Sequence, residues 1–157
     1  MVVFKYFIYI IFIATSLVAA EAQYYYYDNE KFLIAIPMFN CEGDVICKNT
    51  GYFGLAKNNH KFLSILMKPE IIINTVNGHL RGYKFKNGNF SYTIYGDIQS
   101  DSNIKLIVEK NKNKILISDE LKSITKSEFM EKLRNMDLKL LREFNKFYEF
   151  LQHKYDN

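Results

Sequence analysis

The chain has 157 residues and a formal net charge of +4, from 21 Lys and Arg against 17 Asp and Glu. Only three of those cations are Arg and the lysines are scattered, which argues against nucleic acid as a partner, because phosphate and base recognition leans on clustered Arg. With 12 Tyr, 13 Phe and no Trp there is enough apolar surface for one core, and the composition excludes a chain disordered along its whole length.

A single cation, Lys5, precedes an uncharged run from Tyr6 to Ala20, which ends in the small residues Val18-Ala19-Ala20. This is the layout of a cleavable secretory signal peptide over 1–20, with cleavage after Ala20 or Ala22. The run is shorter than the roughly 20 residues a membrane-spanning helix needs, so the expected product is secreted or extracytoplasmic and not an integral membrane protein. The next segment, 21–30, holds Tyr24-Tyr-Tyr-Tyr27 followed by Asp28-Asn-Glu30 and reads as a flexible Tyr-rich lead-in. Residues 31–157 are expected to form a single β-meander plus C-terminal helix domain.

From 31 to 118 short β-branched or aromatic runs alternate with turn residues, which is the pattern of consecutive antiparallel strands. The spacing predicts strands near 31–37, 51–56, 61–67, 70–76, 79–86, 89–98, 103–109 and 114–118. Cys41 and Cys47, the only cysteines, lie between the first two. In an oxidising compartment so close a pair reads as one disulfide, which stabilises a turn by about 2 kcal/mol on the chain-entropy account.

Asn77-Gly78 and Asn87-Gly88 each predict a two-residue type I′ hairpin, since both central residues of that turn need positive φ. For the second, the register places Tyr83, Phe85, Phe90, Tyr92 and Ile94 on one face and Lys84, Lys86, Ser91 and Thr93 on the other. The first places Ile72 beside Tyr83 and puts Arg81 on the core face, where its planar fork is a candidate for an anionic ligand group. Asn89-Phe90-Ser91 is a glycosylation sequon, which makes Asn89 a glycosylation candidate. Lys110-Asn-Lys-Asn113 turns a third hairpin; it reads as a solvated turn, with anionic lipid or glycan as the alternative contact.

The period then changes. Thr125-Lys-Ser-Glu128 matches a capping box, and apolar residues from Phe129 to Tyr155 recur at three- and four-residue steps. One long amphipathic helix is predicted over about 126–154. It would measure about 43 Å, against roughly 23 Å for a seven-residue strand, so it must bend or offer part of its stripe, notably Phe144, Phe147 and Tyr148, to something else.

The expected fold class is therefore α+β: an antiparallel β-meander of seven or eight strands, as a curled sheet or small barrel, with one long C-terminal amphipathic helix. His60, His79 and His153 have no metal-ligand spacing, no cofactor motif occurs, and no catalytic residue is assigned. These features favour a secreted non-enzymatic binding protein that engages a protein partner or a small apolar ligand. Arg81, Tyr83, Tyr92, Phe144, Phe147 and Tyr148 are its candidate contacts, and an internal ligand calls for a cavity lined by Tyr83, Phe85, Tyr92 and Phe144. The alternatives are a hydrolase whose site is assembled from distant residues, and an extracellular structural component that self-associates through the C-terminal helix.

Overall fold

The computed structural model describes residues 24–41, 46–98, 100–112 and 114–156. The expected signal peptide over 1–20 and both cleavage positions lie outside the described residues. The elements in chain order are β1 (Tyr24–Asp28), β2 (Phe32–Pro37), β3 (Tyr52–Ala56), β4 (Lys61–Ile65), β5 (Glu70–Ile73), β6 (Leu80–Asn87), β7 (Phe90–Asp97), β8 (Ser102–Lys110), β9 (Lys114–Glu120), β10 (Lys122–Ser123), α1 (Lys126–Met136) and α2 (Leu138–Tyr155).

Eight strands, β2 to β9, fall where the alternation placed them, and the α+β class holds. The architecture corrects the expectation of a single meander or barrel. The strands form two five-stranded antiparallel sheets, ordered β10-β1-β2-β3-β4 and β5-β6-β7-β8-β9. The chain leaves the first sheet after β4, at Met67-Lys-Pro69, and Pro69 has no N–H to donate to a ladder. It returns through β9 and β10, which Leu121 alone separates, so one corner of the sandwich is continuous.

Three layers result: helices, first sheet, second sheet. Strand alternation sends Ile34, Ile36, Tyr52 and Ile65 of the first sheet toward Tyr83, Phe85, Ile94 and Leu106 of the second. It sends Leu33, Ala35, Phe53 and Leu55 the other way, against Phe129 and Leu133 of α1 and Leu140, Phe144, Phe147 and Leu151 of α2. A sheet covered on both faces explains why β2 is apolar at every position, Phe-Leu-Ile-Ala-Ile-Pro.

The same rule corrects the Tyr-rich lead-in. Residues 24–28 are β1, paired with β2 and β10. Tyr26 is buried toward the helices with its ring 4.8 Å from that of Phe129, and Tyr27 is buried between the sheets. Asp28 closes the strand with ion pairs to Lys57 and Lys132, which tie β1 to the β3–β4 turn and to α1.

The single long helix is two. Asp137 is extended, with φ −168° and ψ 128°, and caps α1 at its C-terminus while its side chain accepts from Lys139 N at the start of α2. The break removes the length mismatch: α2, at 18 residues, is about 27 Å long, and both segments lay their stripes on the same sheet. The capping box is as expected, with Thr125 N donating to Glu128 Oε2 at 2.7 Å and Glu128 N donating to Thr125 Oγ1 at 3.2 Å.

Both Asn-Gly hairpins differ from the two-residue type I′ expectation. Asn74–His79 is a six-residue loop, closed by Gly78 N to Asn74 O at 2.8 Å, with Gly78 at φ 71°. Ile71, not Ile72, therefore lies opposite Tyr83. In the second hairpin Asn87 pairs with Phe90, so the loop is Gly88-Asn89, with the positive φ of 58° on Gly88 alone. Glycine at the first central position is the type II′ arrangement. The pairing moves from Tyr83 with Tyr92 to Tyr83 with Ile94, a shift of two that leaves every side chain on its expected face.

Candidate functional site

Near the β3–β4 and β6–β7 turns, residues of the two sheets face each other across a gap. Between them lies an open cleft of about 250 Å³. Its first-sheet wall is Phe32, Tyr52, Gly54 and Leu63, and its second-sheet wall is Phe90, Tyr92, Leu106, Val108 and Ile117. These are inward-facing residues of β2, β3, β4, β7, β8 and β9, so the strand period builds both walls. Among the described residues Lys61 is the one charged residue lining it.

Aromatic packing shapes the floor. The Tyr52 ring centroid is 5.5 Å from those of both Phe85 and Tyr92, which is within the range of favourable ring pairs. Gly54 permits this arrangement, because a Cβ there would run into the Tyr52 phenol. Burial raises the pKa of Tyr52, aided by the nearby Tyr92, and burial also raises that of Tyr92. Both phenols are therefore neutral hydrogen-bonding groups at physiological pH, set in an apolar wall.

A second depression, of about 460 Å³, lies on the outer face of the second sheet and includes Glu70, Lys84, Lys86, Asn89, Ser91 and Lys112. Its charges answer one another. Lys84 Nζ is 2.9 Å from Glu109 Oε2, Ser91 Oγ donates to the same oxygen at 3.1 Å, and Lys86 pairs with Glu70 at 3.3 Å. The Lys84 hydrogen bond holds the Glu109 carboxyl below its ordinary pKa, and the hydroxyl of Ser91 is committed to that carboxylate. Lys84 and Lys86 are thus both paired in a surface network.

The candidate contacts do not meet at one place. Tyr92 lines the end cleft, whereas Tyr83 is packed in the inter-sheet core. Phe144 and Phe147 are buried on the helix side of the first sheet, and Tyr148 is half-buried there with its ring 5.3 Å from Phe39. The whole first sheet separates them from Tyr83, Phe85 and Tyr92, so the four-residue cavity expected from the sequence is not formed. Arg81 is the extra residue of a bulge against β5, with its guanidinium 5.6 Å from the Tyr95 ring, and not a member of the core face.

Asn89 is exposed at the tip of the β6–β7 turn. Cys41 and Cys47 are at disulfide distance, with Cα atoms 5.2 Å apart. His60, His79 and His153 occupy the β3–β4 turn, the loop before β6 and the end of α2, and among the described residues no group of three His, Cys, Asp or Glu is placed to hold a metal ion.

Sequence reasoning missed Phe32, Leu63, Leu106, Val108 and Ile117 as cleft residues. The signal was present in part, since each is an inward residue of its strand, but the sequence does not show which inward residues border an opening. No protein-family model, curated protein or solved structure matches this chain.

Proposed function

We propose that this is a secreted, non-enzymatic binding protein that holds a small apolar ligand in the cleft between the two sheets. The observation that carries this reading is the cleft itself: about 250 Å³, walled by Phe, Tyr, Leu, Val and Ile side chains from both sheets and open to solvent. Ligand sites are commonly concave and mainly apolar, with few polar groups to orient the guest, and the phenols of Tyr52 and Tyr92 supply those.

The competing version, a protein partner docked on the helix, has less to support it, because Phe144, Phe147 and Leu151 pack against the first sheet and leave Leu138 and Phe150 as the large apolar residues exposed on α2. Cysteines at disulfide distance, and the lack among the described residues of any helix long and apolar enough to cross a membrane, are compatible with an extracellular location.

Methyl-resolved NMR during titration with 1-octanol tests the reading. Shifts concentrated at Leu63, Leu106, Val108 and Ile117 are expected, with Leu133 and Leu151 under the helices unmoved. Shifts centred on the helix-side residues, or none at all, would overturn it.

A further inference from the structure

Three inward-facing rows of the sandwich end in lysine: Lys61 lines the cleft, and Lys110, directly opposite the lining residue Phe90, pairs with Lys114. On β4 the inward residues are Lys61, Leu63 and Ile65, and Leu63 and Ile65 pack in the inter-sheet core. On β8 the inward row continues from Leu106 and Val108 to Lys110, by the period of two. On β9 Lys114 lies directly opposite Lys110 and therefore shares its face. The Lys110 ammonium is 5.6 Å from the centroid of the Phe90 ring, which itself lines the cleft.

These positions break a local rule. Like charges directly opposite across an antiparallel pair repel and are destabilising, yet Lys110 and Lys114 face one another with both side chains exposed. Glu109, beside Lys110 in the chain, is engaged with Lys84. Among the described residues no ion pair reaches Lys61, Lys110 or Lys114. A fold that keeps a repulsive pair without a local gain is expected to do so at a functional site.

We infer that the ligand is a small amphipathic carboxylate, with its alkyl or aryl body in the cleft and its anionic group held at the mouth by Lys61, Lys110 and Lys114. This rests on the cleft being the binding site and adds the charge of the guest. The body displaces water from the apolar walls, which is the hydrophobic contribution. The lysines act as flexible point charges and can follow the head group of guests of different length. A cationic guest of the same shape meets three like charges and is rejected.

The test compares octanoate, 1-octanol and octylammonium by NMR titration at low salt, on the wild type and on the K61Q/K110Q/K114Q variant. Octanoate should bind about tenfold more tightly than octanol, a difference of about 1.4 kcal/mol, and octylammonium more weakly than either. In the variant the affinity for octanoate relative to octanol should fall to about one, whatever the change in octanol binding itself. All three lysines are exposed, and removing the Lys110–Lys114 repulsion should leave the melting temperature unchanged or higher, so the variant folds. Equal binding of octanoate and octanol to the wild type would overturn the anionic guest and leave the cleft standing. Failure of all three to shift the cleft methyls would overturn both.

Discussion

Tyr26 and Tyr27, adjacent in the chain, are buried on opposite faces of the same sheet, one against Phe129 of α1 and the other between the two sheets. The hydroxyl of Tyr27 is buried and has no hydrogen-bond partner among the described residues. An unmet buried donor costs free energy that a hydrocarbon of the same shape does not. Tyr27→Phe should therefore leave stability within about 1 kcal/mol of wild type or raise it, whereas Tyr27→Ala should cost about 3–5 kcal/mol through the cavity left behind. Urea unfolding measures both. Equal losses for the two variants would mean that the hydroxyl, and not the ring, anchors β1.

Asp137 separates α1 from α2 and caps the second with its side chain. Replacing a capping Asp by Ala typically costs about 1 kcal/mol, and Asp137→Ala should show that loss in thermal unfolding, with Asp137→Asn close to wild type. A fully stable alanine variant would indicate that the break is set by packing alone.

The Glu109 carboxyl is held below its ordinary value of 4.5, first by the hydrogen bond from Lys84 and then by that from Ser91. A carboxyl depressed in the folded state contributes stability that is full above its unfolded pKa and lost as pH falls through the folded one. Wild type should thus exceed Glu109→Gln in melting temperature at pH 7, and the gap should close as the pH is lowered below 4.5. A gap independent of pH would show that the pair contributes through shape and not charge.

Asn89 projects from a turn tip, with Ser91 completing the sequon two residues on. Expression through a eukaryotic secretory pathway should give a product whose mass falls by one N-glycan on enzymatic deglycosylation. Asn89→Gln should lack that glycan and unfold at the wild-type temperature to within the effect of a surface change, about 0.5 kcal/mol. A glycan that persists in the variant would place it on another residue.

The strand positions and the inward faces of β6 and β7 were legible because they depend only on the period of two. The hairpin registers were less so: Asn87-Gly88 supports either of two loops one residue apart, and both keep Tyr83 and Phe85 inward. Which sheet a strand joins is a long-range choice, marked in sequence only by Pro69. Asp137 is compatible with a helix surface, so the break there left no local sign. The cleft depended on which inward residues border an opening, and Phe32, Leu63 and Ile117, which line it, lie far apart in the chain. Its local trace was lysine at the last inward place of β4, β8 and β9, as Lys61, Lys110 and Lys114.

Native mass spectrometry of the protein purified from its own host, with a denaturing measurement beside it, decides whether the cleft carries a guest. An occupied cleft gives a monomer that carries one small, reproducible adduct, released on denaturation and identified as an amphipathic acid. A bare protein, or an assembly held together by other protein chains, would contradict it.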